Sequence, residues 1–295
     1  MSDKTLPKFK NYTGQKVNWI QGKLDGHYTK VVCDAFGNKK ATSKKPIDIT
    51  EKLMAIPHIR NQINSMPNSS QILCEMHCPE EDATSVPTLL NAADERLMLT
   101  VFAVPMWCGI SWEEQPTGAV DLGELMITMA GLGFDVVHAI RVTADFVDEK
   151  GCDALNELAV RNKLEGHVLK VSHMSGWFKL KPVRELDAFI TDTEMSVSDS
   201  YYGMLKGVRL AVYKPDGSEH DLGNCGIGDL SIKLQYDTQK KRDALIGRVM
   251  EVKYDLIGAR GGMRFPRFGR WRDDEKTKAE CTTEQFDWYK GMQIR

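Results

Sequence analysis

Residues 19–26 read Trp19-Ile20-Gln21-Gly22-Lys23-Leu24-Asp25-Gly26, an apolar stretch, then a lysine, then a turn-forming Asp-Gly. A lysine held in a pocket beside other cations loses its proton more easily and can act as a nucleophile. The local pattern alone also fits the mouth of a hairpin turn, which Asp-Gly commonly makes. Further along, Glu165-Gly166-His167-Val168-Leu169-Lys170 and Trp177-Phe178-Lys179-Leu180-Lys181 flank Ser172-His173-Met174-Ser175-Gly176, two short extended runs that predict a hairpin. On a strand of period two, Lys179 and Lys181 share one face while Phe178 and Leu180 take the other. Two ammonium groups aimed at one spot are costly unless an anion lies between them, and a phosphate is the natural one. The competing reading is a solvated edge face.

Outward from these segments the chain divides into two textures. Asp121 precedes Leu122, Leu125, Met126 and Met129, with Gly131 and Gly133 after them, which predicts an N-capped helix with a glycine stop. Phe134 to Val142 reads as a strand, and Asp153 to Lys163 as a second helix ended by Gly166. After Pro182 the pattern turns to β, with Val208 to Tyr213, a turn at Pro215-Asp216-Gly217, turn-forming glycines at Gly223, Gly226 and Gly228, and a strand from Arg248 to Asp255. Short strands and turns predict a small closed or partly open barrel. The boundary is placed in the charged, serine-rich segment 183–200, giving domains 1–187 and 188–295.

Composition narrows the function classes. The chain has 295 residues, 42% hydrophobic and 27% charged, ordinary globular values. Its longest uncharged apolar run, Leu97 to Trp112, is interrupted by Pro105 and is too short for a bilayer span, so no membrane association is expected. The polar start, MSDKTLPKFK, has no apolar leader, and the seven cysteines have no regular spacing. A cytosolic chain with free thiols is expected, in the host cytoplasm if the chain is viral. No G-x-x-x-x-G-K-S/T loop is present, and Cys74, His77 and Cys78 lack the second spaced pair of a structural zinc site. Net charge is −2, yet residues 1–60 hold 12 basic against 5 acidic side chains and 241–272 hold 9 against 3. Residues 80–153 reverse this, with 3 against 14. Two basic ends and an acidic middle suit a surface that tracks a phosphate backbone, or simply solvated faces.

Taken in order, these segments resemble the covalent nucleotidyltransferase superfamily of ATP-dependent DNA ligases, RNA ligases and mRNA capping enzymes. The resemblance implies an α+β nucleotidyltransferase (adenylation) domain of antiparallel sheets with flanking helices, followed by a small all-β OB-fold domain. It makes Lys23 of "KLDG" the residue that becomes AMP-linked, and Gln21 beside it a nucleotide-binding residue. Glu75 matches the ribose-contacting acid, Phe102 in "LTVFAV" the aromatic stacked on adenine, and Glu165 the metal-binding carboxylate. Lys179 and Lys181 fall on the α-phosphate, and Arg270 and Arg272 of "RFPRFGRWRDDEK" face the leaving pyrophosphate. Three places depart from the pattern. Tyr28 stands where arginine is usual, Leu73-Cys74-Glu75 where Asp-Gly-Glu is common, and Glu275 where lysine is expected, with Lys276 one position late.

With 22 residues ahead of Lys23, neither a nicotinamide-mononucleotide-binding domain nor a large DNA-binding domain is expected before it. The implied protein is a minimal ATP-dependent DNA ligase of viral or bacterial type, using ATP and Mg2+ and acting as a monomer on nicked double-stranded DNA. The alternatives are an RNA ligase or capping nucleotidyltransferase, and a non-catalytic OB-type nucleic-acid binder.

Overall fold

The computed structural model describes residues 9–79, 81, 83–111, 121–143, 147–162, 164–258, 261–272 and 275–289. The chain forms two units, Met1–Pro182 and Val183–Arg295. Its architecture is mixed α/β, with mainly antiparallel sheets and few helices.

In the first unit the strands are β1 (Lys10–Asn11), β2 (Trp19–Lys23), β3 (His27–Cys33), β4 (Lys39–Ser43), β5 (Ser70–His77), β6 (Met98–Trp107), β7 (Ile110–Ser111), β8 (Asp135–Val136), β9 (Ala139–Arg141), β10 (Gly166–Lys170) and β11 (Trp177–Leu180). The helices are α1 (Thr50–Met54), α2 (Pro57–Ser65), α3 (Val86–Asn91), α4 (Leu122–Gly131) and α5 (Glu149–Arg161). One sheet has the order β1-β11-β10-β2-β9, and a second has β4-β3-β5-β6-β7 with β8 beside β6. Alternation in β3, where Thr29, Val31 and Cys33 are buried, is what a half-buried strand requires. The main core packs α1 to α4 against the second sheet, with Leu53, Ile59, Ile63, Val86, Leu122 and Met126 buried. Each fully buried aliphatic side chain of this kind contributes roughly 1.5–3 kcal/mol. A smaller cluster joins the two sheets, Leu73 and Ala103 from one meeting Val168 and Trp177 from the other.

In the second unit β12 (Arg184–Met195), β13 (Leu205–Tyr213), β14 (Glu219–Gly226), β15 (Val249–Tyr254) and, later in the chain, β18 (Arg267–Trp271) close a barrel in the order β12-β13-β14-β18-β15. Helices α6 (Leu230–Gln235) and α7 (Gln239–Asp243) lie between β14 and β15 in sequence, and β16 (Leu256–Ile257) pairs with β17 (Met263–Arg264). Phe189, Leu210, Leu222, Val252 and Tyr254 fill its interior.

Several local expectations are corrected. β2 and β3 flank the Asp25-Gly26 turn but join different sheets, so Lys23 is not at the mouth of a hairpin. The runs after Glu165 do pair antiparallel, His167 opposite Leu180 and Val168 opposite Lys179. Gly166 opens β10 instead of ending a helix, because a Cβ there would meet the Leu180 carbonyl oxygen at 2.3 Å. The helix expected from Asp153 starts at Glu149, where Asp148 accepts from the Gly151 N–H at 2.8 Å and caps it; Lys163 lies outside the described residues. Asp121 caps α4 through the Glu124 N–H at 3.0 Å. The strand expected over Phe134–Val142 is two short pieces, β8 pairing with β6 of the second sheet and β9 with β2 of the first. Gly223 and Gly226 lie inside β14, and Gly223 (φ +88°) sits at a bulge where the register to β13 shifts. A domain start at 188 would cut β12; the division falls after Pro182.

Candidate active site

A cavity of about 350 Å³ lies between the two sheets of the first unit. Strand alternation decides what faces it. Gln21 and Lys23 from β2, Val168 and Lys170 from β10, and Trp177 and Lys179 from β11 point in from one sheet, with Lys181 just beyond. Tyr28 of β3, Glu75 of β5 and Phe102 of β6 face them from the other. The solvated-edge reading of Lys179 and Lys181 is thereby replaced, since both line this cavity.

Register places the charged end. Lys23 pairs with Gly166 across β2 and β10, and the Glu165 N–H donates to the Lys23 carbonyl at 3.0 Å. The Glu165 carboxylate therefore stands beside the Lys23 side chain, and it takes Lys23 on one oxygen and Lys181 on the other. Burial pushes the Glu165 carboxyl up, but the two ammonium groups outweigh it and hold it below the usual range. Glu75 is different. Burial raises it to about 7, Lys23 opposes that rise, and the charges of Glu165 and Asp25 add to it. The Gly26 N–H bonds to Glu75, and a Cβ on Gly26 would meet the Met76 carbonyl oxygen at 2.4 Å, so the Asp-Gly turn passes tightly over β5.

The other end is aromatic. Leu73 pairs with Ala103 and Cys74 with Val101, so Phe102 is the extra residue of a β-bulge. Its half-buried ring lies 5.9 Å from Trp177, edge on, and 6.4 Å from Tyr28. Phe9 meets Trp177 at 5.6 Å. Tyr28, at the position where arginine is usual, thus adds an aromatic wall instead of a cation, directly opposite Glu75. Gln21 is buried; its amide N–H donates to the Val137 carbonyl at 2.8 Å, leaving Oε1 without a hydrogen-bond partner.

Sequence reasoning gave no role to Lys170, His173 or Trp177. Lys170 is 1% exposed, donates to the Phe102 carbonyl at 3.2 Å and lies 4.0 Å from the Trp177 ring centroid. Burial lowers it to about 7. His173 Nε2 accepts from the Val104 N–H at 2.9 Å, while burial, helped by Lys170, lowers it to about 3 and keeps it neutral. The only signal for Lys170 is parity, two residues beyond Val168 on one strand face.

Arg270 and Arg272 belong to the second unit and are occupied by acids of that unit. Arg270 pairs with Glu251 at 3.2 Å and Glu275 at 2.9 Å. Arg272 reaches Glu251 at 3.3 Å, Glu275 at 3.2 Å and Asp187 at 3.7 Å. Glu275, in the place expected for lysine, is thus a partner of both arginines; Asp273 and Asp274 lie outside the described residues.

Among the described residues no group of three or more His, Cys, Asp or Glu could cage a metal ion. The donor set fits magnesium in the manner that ion prefers, one ionised carboxylate, Glu165, supplemented by water and phosphate oxygens. Cys74 and Cys78 are buried in the core, and His77 bonds to the Thr100 hydroxyl at 2.9 Å. No helix of the described residues is long and apolar enough to cross a membrane.

No family model matches the sequence, and no curated protein matches it. Solved structures do. One described as Pmar-Lig_Pre superposes with a TM-score of 0.67 at 18% identity, over 91% of this chain and 67% of its own. A second, from a structure-function analysis of Lig E DNA ligases that bind DNA with a minimal scaffold, gives 0.60 at 16%, over 92% of this chain and 100% of that one. A third, Pmar-Lig_PreS3, gives 0.63 at 18%, over 88% and 64%. The chain therefore shares its fold with the Lig E DNA ligases and with these two Pmar-Lig structures.

Proposed function

We propose that the chain is an ATP-dependent DNA ligase that takes AMP from ATP onto Lys23, passes it to the 5′-phosphate at a nick in duplex DNA, and joins that phosphate to the neighbouring 3′-hydroxyl. One observation carries this reading. Along β10 the cavity runs from Lys23, Lys181 and Glu165 at the Gly166 end to Phe102 and Trp177 at the Lys170 end. That separation is roughly 13 Å at the usual rise per residue, the span of a nucleoside monophosphate. A base lying among Phe102, Trp177 and Tyr28 brings its α-phosphate to Lys23, Lys179 and Lys181. Gln21 Oε1, buried and unpartnered, accepts from the 6-amino group of adenine. Glu75 meets the ribose between the two ends.

The first step needs the neutral Lys23 amine, so Lys23 passes a proton to solvent water and releases Glu165, which keeps Lys181 as partner. The Nζ lone pair then forms the N–P bond while the bond to pyrophosphate breaks and its electron pair leaves with the pyrophosphate. Lys179 and Lys181 neutralise charge on the phosphoryl oxygens and cost no reorganisation during the reaction. Magnesium held by Glu165 and phosphate oxygens would add charge neutralisation. The basic segments 1–60 and 241–272 supply phosphate contacts to the duplex, and the resemblance implies that the chain works as a monomer. Arg270 and Arg272 are proposed to act on the pyrophosphate once freed from their acidic partners. The test is conversion of a 5′-labelled nicked duplex to the joined strand with ATP and magnesium, GTP serving as the control nucleotide. Sealing with ATP supports the reading, and its absence with intact, folded protein overturns it.

A further inference from the structure

The second unit holds a cavity of its own, about 280 Å³, where the segment 196–204 between β12 and β13 meets α6. It shares no lining residue with the cavity of the first unit. Lys206 reaches it from a β-bulge: Glu194 pairs with Gly207 and Met195 with Leu205, so Lys206 is the extra residue, and a bulge re-aims the side chain it carries. Its partner Glu194 is half-exposed, as Lys206 is, so the pair is of the weak, solvent-screened kind. Lys233 comes from α6. Its Nζ lies 5.2 Å from the centroid of the half-exposed Tyr201 ring, and no carboxylate pairs with it among the described residues. The Ser196 and Ser198 hydroxyls are 3.0 Å apart, which uses one hydroxyl hydrogen and leaves the other to donate. Two ammonium groups and a hydroxyl thus stand beside an aromatic ring and the buried Leu205, the combination that a phosphate and a flat base need together.

Hydrogen bonds hold this loop in shape. The Ser196 N–H donates to the Met204 carbonyl at 2.8 Å, the Gly203 N–H to the Ser196 carbonyl at 3.1 Å, and the Tyr201 N–H to the Ser198 carbonyl at 3.0 Å. The buried Arg242 of α7 donates to the Gly203 carbonyl, and its other acceptors, the Tyr236 carbonyl and the Gln239 side-chain oxygen, are neutral too. A positive charge is therefore fixed against the loop by groups that do not cancel it.

We propose that this cavity binds one nucleotide unit with an unpaired base, its phosphate on Lys206, Lys233 and the serine pair and its base on the Tyr201 ring. The volume, near the low end of the roughly 300–1,000 Å³ of small-molecule pockets, admits one unit. A base inside a duplex keeps its faces stacked on its neighbours, so the occupant is a free nucleotide or an unpaired residue of a strand. Nothing here uses the Lys23 cavity, so the proposal stands or falls apart from the ligase reading.

Photo-crosslinking of the full chain tests it, with three probes: 4-thiothymidine monophosphate, an oligothymidylate carrying one 4-thiothymidine, and that strand annealed to its complement. The single strand is expected to label peptides containing Tyr201 or Lys233, and the duplex to label them about tenfold less. Labelling by the monophosphate as well means that the site takes either source, and labelling by the strand alone that neighbouring phosphates contribute; both support the proposal. By fluorescence anisotropy Tyr201→Ala should bind the strand about tenfold more weakly, the loss of one stacked base, while Tyr201→Phe binds as wild type does. Lys233→Met should lower the slope of log affinity against log salt by about 0.7, one single-strand phosphate contact. AMP transfer to Lys23 should be unchanged in all three variants. Labelling confined to other peptides would overturn the proposal, as would Tyr201→Phe binding as weakly as Tyr201→Ala. So would equal losses for single strand and duplex, the mark of an ordinary contact to the duplex backbone.

Discussion

Lys23 and Glu165 are ion-paired across neighbouring strands, Lys23 as the last residue of β2 and Glu165 as the residue before β10. The pairing is imposed by register, since Lys23 lies opposite Gly166 and the Glu165 N–H bonds to the Lys23 carbonyl. Glu165 also holds Lys181, so one carboxylate keeps two ammonium groups close together at the charged end of the cavity.

Removing that carboxylate takes away the acid that Lys23 and Lys181 share. Glu165→Ala is expected to slow AMP transfer to Lys23 by about a hundredfold or more, the scale on which positioned charged groups act. Single-turnover adenylation rates check this. A loss below about threefold would mean that Glu165 does not organise the two lysines.

Two groups of the cavity tilt stability in opposite directions around neutrality. Glu75, raised to about 7 in the folded chain, binds more protons there than when unfolded, so stability falls as the pH rises from about 4.5 to about 7. Glu75→Gln should therefore gain on wild type through that window and hold the gain above it. Lys170, lowered to about 7, binds fewer protons when folded, so wild-type stability recovers between about pH 7 and 10.5. The advantage of Lys170→Met over wild type, whatever its size at pH 6, should shrink through that range. Urea midpoints across pH 4 to 10.5 read both slopes, and flat differences would contradict them.

Two glycines are fixed by close backbone approach. A Cβ would stand 2.4 Å from the Met76 carbonyl oxygen at Gly26 and 2.3 Å from that of Leu180 at Gly166. Gly26→Ala and Gly166→Ala should each cost about 3 kcal/mol or more, because backbone, not a flexible side chain, has to move. Gly131→Ala, at the end of α4, meets nothing within 4 Å and serves as the control that should lose no stability. Thermal melts of the three variants decide it.

The arginines of the second unit should separate by burial. Arg272 has 15% of its side chain exposed and faces Asp187 and Glu251, which are 16% and 13% exposed. Arg272→Ala leaves those carboxylates without a cation they share and is expected to cost about 2–4 kcal/mol. Arg270, with 53% exposed, should cost under about 1 kcal/mol. Equal melting shifts for the two would contradict the network described here.

Much of the site was legible because it is local in sequence. Lys23 before Asp-Gly and the alternation of Lys179 and Lys181 follow from turn chemistry and strand period, and both place side chains at the cavity. What was illegible depends on partners distant in sequence. Asp25-Gly26 looks the same whether its flanking strands pair with each other or part into two sheets, and here they part. The bulge at Phe102 exists only in register with β5, and with it the carbonyl that holds Lys170. Gly166 reads as a helix stop until the Leu180 carbonyl is found against it. Glu275 breaks the expected motif in sequence, and its meaning as a partner of Arg270 and Arg272 appears only once β18 is placed.

The central claim is that Lys23 carries AMP. Incubating the chain with magnesium and either α-labelled or γ-labelled ATP, then resolving it by denaturing electrophoresis, tests this most directly. The account predicts acid-labile label on the protein from α-labelled ATP, none from γ-labelled ATP, and none from either in Lys23→Ala. Label that persists on Lys23→Ala, or that comes from the γ-phosphate, would contradict it.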